Sequence, residues 1–143
     1  MSYGQQMRPL LGARLPTTPS MAAVLAGDLF VLLAFIATGQ ISHGYLPWEA
    51  PARTVLITLP VVVGWLVLAI PAGLFVPGKL VKLKRAVPTV IVVWVGAALI
   101  GGFIRSTSLV PGSAPVSFLL ANVVFGTVFL VPWRVLVGWQ LGR

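Results

Sequence analysis

The 143-residue chain contains no cysteine, and its acidic residues number two, Asp28 and Glu49. No disulfide framework, thiolate metal site or cysteine nucleophile is therefore open to it. Histidine is nearly absent as well. His43 and one glutamate fall short of the three or four ligands a metal site needs, so no metal and no cofactor is expected. A lone histidine leaves only axial ligation of a pigment or haem as a marginal alternative. Charged residues make up 8% of the chain, against about 25% in soluble domains. Such a chain cannot cover a water-facing surface.

Apolar residues are what the chain has, at 58%, with a mean hydropathy of +1.02. Ten basic residues against two acidic ones give a formal charge of +8. In a soluble protein that balance would suggest nucleic acid. Here the basic residues lie between apolar runs, and the densest basic segment has no interleaved aromatics, so membrane topology and anionic lipid account for the charge and no nucleic acid is expected.

Length predicts one domain. Residues 1–20, with Pro9, Pro16 and Pro19, read as a flexible tail carrying Arg8 and Arg14, and residues 21–143 as a transmembrane domain. Thr17, Thr18 and Ser20 are candidate N-caps for the first helix. Four apolar runs follow, at about 21–41, 53–75, 86–104 and 115–133, the last with a candidate continuation to Trp139. Each has about the 20 residues needed to cross a bilayer. The first run is too long for a cleaved signal peptide and has Asp28 inside it, so a retained helix is expected. Pro60 and Pro71 fall inside the second run, Pro88 suits a first-turn position in the third, and Pro132 is expected to kink or end the fourth.

The connections are short, which forces antiparallel neighbours. The predicted fold is an all-α membrane protein, an up-down bundle of four transmembrane helices. Arg8, Arg14, Lys79, Lys82, Lys84, Arg85, Arg134 and Arg143 gather on one side, and Arg53, Arg105 and Glu49 on the other. The positive-inside rule then puts both termini and the 76–85 loop in the cytoplasm. Trp133 and Trp139 fall near the inner interface and Trp48 near the outer one, as an aromatic belt would. Small residues four apart are expected to mark packing faces: Ala23/Gly27, Ala69/Gly73, Ala97/Gly101 and Ala98/Gly102. A shift of 68 residues aligns Phe35-Ile36 with Phe103-Ile104, Pro47 with Pro115 and Trp65 with Trp133, a faint repeat that would relate two hairpins. Asp28 aligns with Gly96 and has no counterpart in that repeat.

Asp28 is the residue that asks for an explanation, because a carboxylate in hydrocarbon is costly and functional by default. It lies about 10 Å inside the cytoplasmic end of the first helix at 1.5 Å per residue. The depth-matched cation is Arg134. Three readings stand open: an ion pair that locks helix register, a proton- or substrate-linked site, and exposure through an inner cavity. Trp65 and Trp94 sit near the same depth, either as packing or as the lining of a cavity for a lipophilic cation. At the outer end His43, Glu49, Arg53 and Arg105 form a polar cluster, read as a solvated cap, in which a Glu49–Arg53 pair would contribute only tenths of a kcal/mol. Lys79, Lys82, Lys84 and Arg85 form a basic loop suited to anionic lipid head groups.

Several of these residues also form a pattern. Gly27-Asp28, then Gly39-x-x-Ser42-His43-Gly44, Pro60 with Gly64-Trp65, Arg105, and Pro132-Trp133-Arg134 resemble a family of short prokaryotic four-helix membrane proteins known as a domain of unknown function. The resemblance covers roughly residues 22–140. Pro132 stands where that family tends towards glycine. The resemblance implies the four-helix architecture, singles out Asp28, His43, Arg105 and Arg134, and supplies no activity. In site chemistry alone the chain is similar to small multidrug-resistance transporters, four-helix dimers that exchange protons on a first-helix carboxylate. It departs from them in having Asp for Glu and in its longer loops.

The expected function is that of a non-enzymatic, small polytopic membrane protein in a structural, accessory or interaction role, as a homodimer or within a larger membrane complex. The alternative is a small proton-coupled transporter of lipophilic or cationic molecules using Asp28. A lipid-acting enzyme is a distant third, since no nucleophile–base set or metal cluster is visible.

Overall fold

The computed structural model describes residues 14–107 and 116–143. Arg8 and most of the expected tail lie outside the described residues, as do Pro115 and residues 108–114 of the third loop. Five helices are seen among the described residues: α1 Pro19–Ser42, α2 Pro51–Ala69, α3 Pro77–Leu80, α4 Leu83–Arg105 and α5 Val116–Leu141. Four of them, α1, α2, α4 and α5, are long and apolar enough to cross a membrane.

Local chemistry sets the helix ends. Thr18 caps α1 by accepting the Met21 amide at 3.2 Å, and Pro19 occupies the first turn, where its missing N–H costs nothing. The regular part of α2 ends at Ala69, earlier than the expected 75. Pro71 cannot donate to the Val67 carbonyl, and the chain closes in a Schellman motif. Leu74 donates to the Ala69 carbonyl and Gly73 to that of Ile70, both at 3.1 Å, with Gly73 at φ +81°. Ala69/Gly73 is thus not a helix-packing pair; Gly73 belongs to the turn. Arg14 donates to the Pro71 carbonyl and ties the start of the described chain to this turn.

Pro60 lies inside α2, as its run implied, and Pro88 differs from expectation. α4 starts at Leu83, so Pro88 lies inside the helix and not in its first turn. The turn ahead of it carries Lys84, which is exposed. Pro132 does not end α5, which takes up the candidate continuation to Trp139 and runs on to Leu141. The turns beyond it are held by side chains: Arg134 is bound to Asp28, and Gly138 lies against Leu80 and Leu83.

The four long helices close a ring in the order α1, α2, α4, α5, each antiparallel to the next. Gly64 and Gly101 bring α2 and α4 together, opposite Ala97 and Val61. A methyl on Gly64 would sit 2.7 Å from the Ala97 carbonyl oxygen. Trp94 of α4 donates to the Asn122 carbonyl of α5 at 3.1 Å, and Gly126 makes room for its ring. Phe35 of α1 meets Phe129 of α5 at 5.9 Å between centroids. Thr54 of α2 donates to the Gln40 side-chain oxygen of α1 at 2.7 Å. Small residues permit this contact because lipid gives helices no hydrophobic reason to associate.

The distribution of polarity is that of a membrane bundle. Phe30, Val92 and Phe103 are more than two-thirds exposed on the outside, while Asp28, Asn122 and Arg134 are buried within. α3 and the α2 turn lie at one end with Arg14, Lys82 and Arg143, here called the basic end; the α1–α2 turn and the end of α4 lie at the other.

Candidate functional site

α1 turns one face inward, with Met21, Val24, Asp28, Leu32 and Phe35 at helical spacing. Asp28 is therefore carried to the bundle axis by the apolar periodicity around it, and its exposure is 0%. α5 does the same for Arg134, which follows Leu130 and precedes Val137 on a buried face. The two meet side-on. Arg134 Nε donates to Asp28 Oδ1 at 3.0 Å, and Nη2 donates to Oδ2 at 2.5 Å. This is the two-toothed guanidinium–carboxylate geometry that fixes orientation as well as charge.

Two indoles complete the carboxylate. Trp65 Nε1 of α2 donates to Oδ2 at 3.1 Å, and Trp133 Nε1 of α5 donates to Oδ1 at 2.9 Å. Each oxygen thus accepts two hydrogen bonds. Arg134 is anchored further by donating through Nη1 to the Leu74 carbonyl at 2.5 Å. Its guanidinium carbon lies 5.0 Å from the Phe75 ring centroid and 5.8 Å from that of Trp65. Three helices and the Schellman turn of α2 converge on one ion pair. No side-chain nitrogen or oxygen that is wholly closed off from solvent among the described residues lacks a partner, the condition under which a buried pair is tolerated.

Trp94 does not join this cluster. Its N–H is spent on α5, and its ring packs against Phe35 edge-on at 5.7 Å and against Trp65 at 6.5 Å. Trp133, Leu74 and Phe75 were not foreseen as partners of the pair. Trp133 was expected as an interface residue; it is instead half-buried and aimed inward. The 68-residue shift contained its signal, since the two tryptophans it aligns are the two that donate to Asp28.

The opposite end holds a cleft of about 760 Å³, lined by His43, Arg53 and Arg105 but not by Glu49. The expected Glu49–Arg53 pair does not form among the described contacts. Glu49 precedes α2 and lacks helical i,i+4 geometry, and the Arg53 guanidinium lies over the Tyr45 ring at 4.4 Å. At the basic end Lys79, Lys82, Lys84 and Arg85 are exposed, with Lys79 lying along Gly73. Among the described residues no three His, Cys, Asp or Glu side chains gather as a metal site would require.

Four helices of membrane-spanning length closed around a buried Asp–Arg pair define a small multi-pass membrane protein. The family model described as "Protein of unknown function (DUF3054)" matches residues 25–137, and the chain belongs to that family. The match takes in Asp28, Trp65, Trp133 and Arg134. No curated protein and no solved structure matches the chain.

Proposed function

We propose that this chain is a non-enzymatic, polytopic membrane protein with a structural or accessory role, in which Asp28 and Arg134 form a lock that sets the register of α1 against α5 and α2. The carrying observation is the fourfold hydrogen bonding of a carboxylate with no exposed surface. A proton-exchanging carboxylate needs access to water in at least one state and a partner it can release; Asp28 is held by a guanidinium fork and two rigid indoles from three helices.

Its setting is the plasma membrane of a prokaryote, with the basic end in the cytoplasm, where Lys79, Lys82, Lys84 and Arg85 meet anionic head groups. That orientation is supported by the excess of basic residues at one end. A rigid bundle of this kind serves as a homodimer subunit or as part of a larger membrane complex.

The test is proton flux in proteoliposomes under an imposed pH gradient, with and without a lipophilic cation such as tetraphenylphosphonium. The expected result is no coupled flux in the parent, together with lower unfolding stability in Asp28→Asn. Cation-driven proton flux that disappears in Asp28→Asn, at unchanged stability, would replace the lock with a transport site.

A further inference from the structure

α1 and α5 are tied together by the Asp28–Arg134 pair in one half of the bundle, and in the other half residues of both line a cleft. There the 760 Å³ cleft runs along their seam, within the range of small-molecule sites. Its deep walls are apolar: Phe35 and Ile36 from α1, Ile57 from α2, and Phe125 and Phe129 from α5. Its mouth carries Arg53 and Arg105. From Ser42 at the mouth to Phe35 is a rise of about 10 Å along α1, and from Ser117 to Phe129 about 18 Å along α5.

Three observations describe a ligand. Both guanidinium groups line the cleft, that of Arg105 over the Phe118 ring at 4.4 Å, and Glu49 is not among the lining residues. Arg53 makes no ion pair or hydrogen bond to the described residues; it is held at the rim by stacking on Tyr45. Partway down, Asn122 is 8% exposed and lines the cleft. Its backbone carbonyl is taken by Trp94, while its side-chain amide makes no hydrogen bond to the described residues. Two like charges at the rim, one unpartnered amide below them and an aromatic floor make a surface that is complementary to a molecule with the same three zones.

We propose that this cleft binds an anionic amphiphile. An acidic head group, phosphate or carboxylate, lies between Arg53 and Arg105. An ester or hydroxyl oxygen meets the Asn122 amide. The hydrocarbon chain lies in the α1–α5 seam against Phe35, Phe125 and Phe129. The seam faces the bilayer, so such a ligand can enter sideways with its head group already at the level of the arginines. The Asp28 lock lies in the other half of the bundle and takes no part in this binding.

The test uses the full chain in a neutral maltoside micelle, read by native mass spectrometry and by titration. The probes are lauroyl lysophosphatidate, neutral monolauroyl glycerol, dodecyltrimethylammonium and glycerol 3-phosphate. Lysophosphatidate is expected to bind about tenfold or more tightly than the neutral and cationic chains, the worth of one or two charge-assisted hydrogen bonds. Arg53→Gln is expected to weaken it by a similar factor. Ala121→Trp, which fills the seam from an exposed position, is expected to abolish it with unfolding unchanged. Equal affinity for the neutral chain, or binding that survives both substitutions, overturns the proposal; so does glycerol 3-phosphate binding as tightly as lysophosphatidate, which would mean a head-group site alone. In nanodiscs, competition by phosphatidylglycerol identifies a bilayer lipid as the natural source, and its absence identifies a free amphiphile.

Discussion

Removing Asp28 without removing Arg134 should be among the most damaging single changes in this protein. Asp28→Ala leaves a guanidinium that is 4% exposed with the Leu74 carbonyl as its remaining hydrogen-bond acceptor, and it strands the Trp65 and Trp133 N–H groups. Breaking one side of a buried pair costs about 3–5 kcal/mol. Each unsatisfied indole adds up to about 1–3 kcal/mol, but these do not simply sum, since half-buried Trp133 can turn towards the interface. A loss of about 4 kcal/mol is expected. Arg134→Met should cost a comparable amount by leaving the carboxylate with two neutral donors. The double variant Asp28→Leu/Arg134→Met removes both charges together and should be more stable than either single variant, because hydrophobic replacement of a buried pair is often near neutral. The coupling energy should reach about 2 kcal/mol. The assay is unfolding of the purified protein in mixed micelles titrated with sodium dodecyl sulfate, followed by circular dichroism. Single variants within about 0.5 kcal/mol of the parent, or strictly additive effects, would refute the lock, since a true pair of contacting charges cannot behave as two independent sites.

Three further outcomes follow from single contacts. Gly64→Ala should destabilise by about 1–3 kcal/mol, because its methyl meets the backbone of Ala97, which cannot rotate away; Gly39→Ala, with nothing within 4 Å, should stabilise by about 0.5–1 kcal/mol, and the same unfolding assay tests both. Trp133→Phe keeps an aromatic ring, though a smaller one, and loses the donor at 2.9 Å to Asp28, so a loss of about 1 kcal/mol or more is expected, and an unchanged midpoint would remove Trp133 from the cluster. Because the native chain has no cysteine, Ser42→Cys and Lys82→Cys report topology directly: an impermeant maleimide should label the first in intact cells and the second only after lysis, and the reverse pattern would invert the proposed orientation.

Much of the bundle was legible because lipid makes the pattern simple. A run of about 20 apolar residues has one stable form in hydrocarbon, since only a helix satisfies its own backbone there. The runs beginning near Met21 and Ala86 were found to within a few residues for that reason. The misjudged ends were those where proline acts through its surroundings. Pro71 closed α2 because Gly73 stood two residues later to take a positive φ, whereas Pro132 was absorbed because the next turn is bound to α1. Proline in isolation does not distinguish the two cases.

The candidate site divides along the same line. Asp28 and Arg134 could be paired on paper, since charges in hydrocarbon seek partners and these two share a depth. Trp65 was placed at the right level, but Trp94 stood at the same level and proved to serve the α4–α5 contact. Depth along the membrane is readable from residue count; rotation about the helix axis within a four-helix ring is not, and it is rotation that chooses between two tryptophans.

From its sequence alone this protein was determined to be four helices in a membrane, with one carboxylate in search of a cation, because composition and run length decide which solvent a chain can inhabit. Only the tertiary structure decided that Trp133 completes that carboxylate's cage and the turn at Leu74 anchors its arginine, that Glu49 makes no pair with Arg53, and that α1 and α5 line a cleft with two arginines. Those outcomes depend on the angle at which helices pack and on which small residues let them approach, and neither is carried by any single segment.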